Sequence, residues 1–412
     1  MIITSNVRWC LVNCAALLFL SALHSIDAHT IDLQAAEYLR EAHHDAVIHF
    51  DWAVVGGGPG GIITVGVLLD AGVHPAKILW IDREFLVGRM GQYYSTVPAN
   101  NKAKRLVEFI HMCAAFEKVQ TPAMKLLMNA HPGKEYLLKM IIDPLQDITD
   151  SFLKDVCSAR GLLTQLDFAN DSWNLVVNET NYRAHRVVLA TGSHPKPLNY
   201  NSCTEIGLDK ALNKSELIKC LAPDDTVAVI GGAHSAVLVM KFLCEVKVAR
   251  VINFYKYPLH YLTPEQQALR IKTCQLHGDP LSGMAAEWAR EVLDVNPPSN
   301  LLRVKVCEES LKAWLPVCTK IIYAAGYEPN ALPPVTGIAL AHDSATGVIG
   351  PHLFGIGIAF PEFIDDGKGH CSYRVGLREF MRFAQRVVPE WMHKNALDAY
   401  SRYEDLIVFN QL

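Results

Sequence analysis

The sequence predicts an α/β protein built on a parallel sheet, with a second, similar unit inserted into the first. Three observations lead there. At 412 residues the chain exceeds a single domain of ~100–200 residues. At 48–71 and again at 226–244, an apolar strand runs into a glycine-rich loop and then a helix. Each time another apolar strand follows, which is the start of a parallel sheet.

The elements follow in order. Residues 30–44 have helical spacing of Leu33, Ala36, Tyr38 and Leu39. A strand at 48–55 ends in the glycine cluster, a helix covers 60–71, and a strand covers 77–81. Residues 106–159 read as mostly helical. Strands at 173–177, 182–184 and 186–190 are separated by turns that Asn178 and Asn181 favour. The polar run Ala222-Pro223-Asp224-Asp225 marks a boundary before the second unit. That unit has a strand at 227–230, the loop Gly231-Gly232-Ala233, a helix at 235–244 and a strand at 250–254. Residues 262–295 are helical in pattern and end at Pro297-Pro298. A strand at 320–324 leads into Ala325-Gly326-Tyr327, and a last helix at 375–388 is stopped by Pro389.

The N-terminus carries Arg8, an apolar stretch at 10–23 and a first acid at Asp27. That stretch is shorter than the ~20 residues of a spanning helix and suits the core of a signal peptide. Ala22 and Ala28 are candidate cleavage neighbours. Residues 1–28 are therefore expected to be an export signal, or an anchor if uncleaved. Export places the protein in the secretory pathway or periplasm, with the cytoplasm as the alternative.

Composition narrows the function classes. Half the residues are apolar, 19% are charged, and the net charge of -4 comes with no long run of one sign. This excludes a nucleic-acid surface or a polybasic membrane surface. The 11 cysteines are dispersed and odd in number, two of them in the leader, which is not a disulfide framework. Neither C-x-x-C nor H-E-x-x-H occurs, so no metal site is expected from spacing.

The first loop reads Gly56-Gly57-Gly58-Pro59-Gly60-Gly61. Gly56 allows the tight turn, Gly58 removes a side chain from the path of a pyrophosphate, and Gly61 lets the helix approach the strand. Together with Pro59 and Gly60 they open a helix whose N-terminal N–H groups and dipole favour phosphate. Asp82, at the end of the next strand, can accept hydrogen bonds from ribose hydroxyls. This is a Rossmann-type nucleotide loop.

The residues reached so far resemble the two-dinucleotide-binding-domain flavoproteins. That superfamily includes pyridine nucleotide-disulfide reductases, flavin-containing monooxygenases and lysine or ornithine N-hydroxylases. Four pieces carry the resemblance from about Asp51 to Trp391. They are the first loop with Asp82, the A-T-G segment Ala190-Thr191-Gly192, the second loop Gly231-Gly232-Ala233-His234-Ser235-Ala236, and the second crossing Tyr323-Ala324-Ala325-Gly326-Tyr327. The resemblance implies an FAD-binding Rossmann-like domain at 29–222 and 319–412, with an inserted Rossmann-like NAD(P) domain at 223–318. It places FAD against the first loop, Thr191 and Gly192, and NAD(P)H against Gly231, Gly232 and the helix start at Ser235, with Gly326 at the return. Lys256, beyond the strand at 250–254, would suit a 2′-phosphate and so NADPH; an exposed lysine with no ligand is the equal alternative. Arg89 and Gln92, in Gly88-Arg89-Met90-Gly91-Gln92, are candidates to touch the pyrophosphate or the flavin ring; a plain surface turn is the other reading.

Three departures from the family pattern stand out. With no C-x-x-C beside the flavin, disulfide reduction is set aside in favour of a monooxygenase-like route. The second loop reads G-x-A-x-x-A, and Ala233 adds a methyl where a pyrophosphate would approach. The usual closing Gly-Asp pair is replaced by Phe354-Gly355-Ile356-Gly357-Ile358, with Asp365 or Asp366 as candidate substitutes. The implied activity is an FAD-dependent oxidoreductase using NAD(P)H on a small-molecule substrate. The alternative is a nucleotide-binding module with little turnover and a sensing or interaction role. No residue is singled out as a catalytic base, and nothing in the sequence speaks to oligomeric state.

Overall fold

The computed structural model describes residues 48–200, 203–261, 280–336, 338–365 and 371–393. The expected leader at 1–28, the helix at 30–44, most of the helix at 262–295 and Asp366 lie outside them. No helix among the described residues is long and apolar enough to cross a membrane.

Strand β1 (Ile48–Val55) leads into helix α1 (Pro59–Asp70), then strand β2 (Ile78–Asp82), parallel to β1. Residues 60–68 of α1 are all buried, as befits a helix that is apolar on every side. Short helix α2 (Gly88–Tyr93) follows, then α3 (Ala103–Ile110) and α4 (Lys139–Phe152). Strand β3 (Cys157–Arg160) pairs parallel to β2. It falls at the end of the stretch read as helical, because Cys-Ser-Ala-Arg carries no periodicity and only pairing makes it a strand.

Strands β4 (Leu163–Ala169), β5 (Ser172–Val177) and β6 (Thr180–Leu189) form an antiparallel meander. The strands expected at 182–184 and 186–190 are this one strand β6. Its first half pairs with β5 and its second half with another strand, so nothing interrupts it. β4 itself, polar on one side, went unread in the sequence.

The chain then builds a second sheet. Its strands are β7 (Thr226–Ile230), β8 (Arg250–Tyr255), β9 (Leu301–Lys305) and β10 (Lys320–Tyr323), with helix α5 (His234–Val246) between β7 and β8. The order β10-β7-β8-β9 is parallel throughout, and Thr204–Glu205 pairs on the outer side of β10. This sheet therefore reaches beyond 223–318 at both ends. Finally the hairpin β11 (Val348–Gly350) and β12 (Leu353–Gly355) returns to the first sheet, with β12 parallel to β6. The second sheet is thus an insertion within the first unit.

Helix α6 (Leu377–His393), the last described element, packs on α1. The sequence reading ended it at Pro389, but the proline lies inside the helix. A proline in a helix interior costs ~3 kcal/mol. Beyond it, Trp391 is fully buried, stacks on Phe354 at 4.5 Å and donates its indole N–H to Thr346 O. Losing a buried tryptophan would cost ~3–5 kcal/mol, so the last turn is retained. One core lies between the first sheet and α1, α3, α4 and α6; another covers the sheet's opposite face under the meander.

Candidate active site

At the carboxyl end of the first sheet a cavity of about 2300 Å³ opens. This is where ligands bind in open α/β sheets. The first loop forms one wall. Gly56 has φ +117°, and a methyl there would lie 2.2 Å from Ala190 O on the crossing strand. A methyl on Gly61 would lie 1.8 Å from Gly56 O, so only glycine lets α1 start this close to β1. Gly58 differs: a methyl there meets only Gly88 Cα, at 3.8 Å, and the position faces the cavity. No side chain caps α1, whose first helical residue is Pro59. Its amino end is thus left to whatever fills the cavity beside Gly58, Pro59 and Gly60.

Asp82 also faces the cavity and braces the loop. Its carboxylate accepts from the N–H groups of Gly57 (2.6 Å), Glu84 (2.9 Å) and Phe85 (2.7 Å). A carboxylate offers about four acceptor sites, so one remains for a ribose hydroxyl. Ile356 and Gly357 close the loop from the other side, with Gly357 Cα 3.4 Å from where a Gly60 methyl would sit. In the next strand Ile364, rather than Asp365, lines the cavity.

Thr191 and Gly192 line the cavity where the chain leaves the first sheet. The Thr191 hydroxyl is buried with no hydrogen-bond partner. Asn330 fixes this crossing by donating to Thr191 O at 2.7 Å and, from its main chain, to Gly192 O at 3.1 Å. The return crossing pairs Ser193–Pro195 with Tyr327–Pro329; Gly326 has φ +102° there and does not itself reach the cavity.

Arg89 and Gln92 both line the cavity, but protein groups already hold them. Gln92 donates to Glu84 at 2.6 Å. Arg89 forms an ion pair with Asp209 and lies 5.0 Å from the Tyr93 ring centre. The Tyr94 hydroxyl donates to Asp209 at 2.6 Å and lies 2.9 Å from the Tyr327 hydroxyl. Burial pushes both phenols up in pKa, with further upward pushes on Tyr94 from Tyr327 and Asp209, so both stay protonated. Burial pulls the Arg89 guanidinium down, but Tyr94 and Asp209 outweigh it and hold its pKa above the ordinary value. Sequence reasoning missed Tyr94, Asp209 and Tyr327, because no local signal links residues 115 and 233 positions apart.

The second loop repeats the first with two changes. Gly231 matches Gly56: φ is +137°, and a methyl would lie 2.1 Å from Ala324 O. Ala233 takes the place of Gly58 as the extended residue before the helix, with its methyl exposed. Ala236 takes the place of Gly61 and is buried. A methyl on Gly232 would approach Tyr255 Cβ at 3.1 Å, as one on Gly57 would approach Asp82, so Tyr255 stands where the first unit has its acid. Gly231, Gly232, Ser235 and Lys256 lie away from the large cavity; Lys256 is exposed, 5.1 Å from the Tyr257 ring centre. Ser235 reaches toward the cavity only through a hydrogen bond with the Tyr327 side chain.

Three comparisons bear on this arrangement. A family model described as pyridine nucleotide-disulphide oxidoreductase matches residues 50–345. The chain is 30% identical over 387 residues to monooxygenase AgnR1 of Paecilomyces divaricatus, covering 82% of this chain and 97% of that protein. Among solved structures it is similar to a flavin-containing monooxygenase from Stenotrophomonas maltophilia, at 16% identity and a TM-score of 0.57, covering 84% of this chain and 99% of that one. It is equally similar to the ornithine N-hydroxylase of Kutzneria sp. 744 with reduced FAD, NADP+ and L-ornithine, at 15% identity, the same coverages and a TM-score of 0.57. These likenesses show the fold expected from the sequence: a Rossmann-like unit with a second one inserted.

Proposed function

The chain belongs to the pyridine nucleotide-disulphide oxidoreductase family and is an FAD-dependent, monooxygenase-like oxidoreductase; from that premise we propose that NADPH reduces it and that it oxygenates a small-molecule substrate. One observation carries the reading. The first loop presents an open Gly58 and an uncapped helix start to a cavity that Asp82, Thr191 and Gly192 also line. The free N–H groups of a helix start call for a partner, and a diphosphate supplies one. The residues therefore fit FAD. The loop from Gly56 to Gly61 would hold the diphosphate and the fourth acceptor site of Asp82 the ribose.

When bound, FAD supplies the electron transfer between NADPH and dioxygen. The net reaction is substrate, O2, NADPH and a proton giving oxygenated substrate, water and NADP+. Around it the chain's residues bind and orient. Tyr94 and Tyr327, kept protonated, are hydrogen-bond donors rather than bases. A cavity of about 2300 Å³ exceeds the ~300–1,000 Å³ typical of a single ligand, so cofactor and substrate share it. Among the described residues no cysteine lines it, which supports oxygenation over disulfide chemistry.

The choice of NADPH rests on the end of β8. An acid there would accept from a ribose 2′-hydroxyl; Tyr255 cannot play that part, and Lys256 follows it. Arg303 lies 4.8 Å from the Tyr255 ring centre. The end of β8 thus carries basic rather than acidic side chains, which suits a 2′-phosphate better than a ribose hydroxyl. The exposed Ala233 methyl favours the second reading, a binding module with little turnover. One experiment separates them. Anaerobic mixing of the flavin-loaded protein with NADPH should bleach the flavin absorbance, and oxygen should restore it. Flavin that stays oxidised in excess NADPH would leave the module; protein that carries no flavin and gains none on reconstitution would end both readings. An export signal at 1–28 is part of the proposal, and a mature protein that retains Met1 would rule out its cleavage.

A further inference from the structure

Asp171, His185 and His352 meet at the end of the first sheet opposite the cavity. One carboxylate oxygen and one nitrogen from each imidazole all lie within 4.8 Å of one another. Asp171 stands in the β4–β5 turn, His185 on β6 and His352 in the turn between β11 and β12. Thr191 is six residues beyond His185 along the same strand direction, so the cluster sits about 20 Å from the cofactor loop. None of the three residues lines the cavity.

Several features go beyond chance proximity. The His352 side chain is only 4% exposed, and its Nε2 lies 3.3 Å from the Asp171 carboxylate. The two imidazole rings, tilted 46° to each other, have centroids 4.1 Å apart, a separation two cationic rings would resist. His185 Nδ1 lies 3.0 Å from Asp171 main-chain O, which orients the ring. A carbonyl contact of this kind is how a ligating histidine is usually held. His352 follows Pro351 with φ +52°, a turn position where glycine or asparagine is ordinarily found. A residue set against its local preference, with its imidazole aimed at a carboxylate and a second imidazole, is a pointer to function. Arg183 and Arg186 border the cluster, but their guanidinium groups donate to main-chain carbonyls: Ala169 and Asn170 for the first, Trp391 and Met392 for the second.

We propose that Asp171, His185 and His352 form a binding site for a divalent transition ion, with zinc as the best match, that ties the two turns to β6. Two imidazoles and a carboxylate suit zinc, and disfavour magnesium and calcium, which take oxygen donors. Metal–ligand distances of about 2.0–2.2 Å put tetrahedral donors about 3.3 Å apart. The exposed Asp171 carboxylate rotates to close that gap while His185 keeps its contact with Asp171 main-chain O; the outer face leaves a fourth position to water. No motif announces the cluster, because its ligands come from three separate segments.

The test uses tag-free, flavin-loaded full-length protein stripped with a chelator and titrated with zinc by calorimetry and thermal melting. One zinc per chain should bind and raise the melting temperature, while magnesium should do neither. His185→Gln and Asp171→Asn should each weaken zinc binding at least tenfold, since even losing an outer-shell partner costs 10–100-fold. Both positions are solvent-accessible, and an unchanged flavin spectrum shows that the variants fold. All cysteines remain, so zinc held at Cys157 or Cys307 would bind the variants as well as the parent. That result, an equal response to magnesium, or no saturable zinc binding by the parent would overturn the proposal.

Discussion

Replacing Gly58 by alanine separates a glycine the fold needs from one a ligand needs. The backbone at Gly58 (φ -80°, ψ -178°) accepts any residue, and the new methyl would meet only Gly88 Cα at 3.8 Å. Two small effects on stability oppose each other. Alanine removes freedom from the unfolded chain, a gain of ~0.4–1 kcal/mol. It is also a poorer helix N-cap than glycine, a loss of up to ~1 kcal/mol. The net change stays within ~1 kcal/mol, or ~4 °C in melting temperature for a domain of this size. The ligand fares differently. The methyl projects into the space a diphosphate would take and pushes it off the start of α1. Losing one charge-assisted hydrogen bond costs ~1.5–3 kcal/mol, or roughly 10–150-fold in affinity. The assay pairs circular-dichroism melting of the cofactor-stripped protein with FAD titration followed by flavin fluorescence. Gly61→Ala is the control: its methyl would lie 1.8 Å from Gly56 O, so this variant should lose the fold itself. A Gly58→Ala protein that melts normally and binds FAD as tightly as its parent would refute the placement of the diphosphate.

Three further outcomes are expected. Lys256→Glu should raise the KM for NADPH about tenfold, the cost of ~1.4 kcal/mol at a 2′-phosphate, while leaving NADH turnover nearly unchanged; equal effects on both coenzymes would remove Lys256 from the site. Tyr94→Phe deletes the hydroxyl shared by Asp209 and Tyr327 and should cost ~1–3 kcal/mol in urea denaturation; a stability equal to the parent's would show the network to be solvent-screened. Burial lowers the pKa of His234 and of His342, the latter partly offset by Asp343. Below the ordinary histidine value of ~6.5 the unfolded chain then binds more protons than the folded one, and stability falls as pH falls. Melting temperature should therefore drop from pH 7 to pH 5, and less steeply in His234→Gln/His342→Gln; parallel profiles would contradict this.

What was legible in the sequence was local. The turn at Gly56, the helix start at Pro59 and the strand after it follow from residues within one short segment, as do their counterparts from Thr226 to Tyr255. What stayed hidden depends on distant partners. β3 is a strand because it lies beside β2, and β4 because β5 returns along it. α6 outruns Pro389 because Phe354 and Thr346 hold Trp391. The Arg89 environment could not be foreseen for the same reason: Asp209 arrives from a segment 120 residues away.

The two glycine loops show how far a motif can be trusted. Both use a left-handed glycine to pass beneath a crossing carbonyl, Ala190 O in one and Ala324 O in the other, so that feature belongs to the fold. They part at the third and sixth positions. Gly61 is fixed by a contact no side chain could survive, whereas Ala236 sits buried at the matching point, where the second loop accommodates a methyl. Gly58 opens into the large cavity, whereas Ala233 faces solvent outside it. A diphosphate held at the first loop would have cavity walls around it, while one at the second would keep an exposed flank. Enclosure slows release and exposure permits it. On the proposed reading, the same glycine pattern gives a resident cofactor at one loop and an exchanging coenzyme at the other, and the difference lies in two methyl groups.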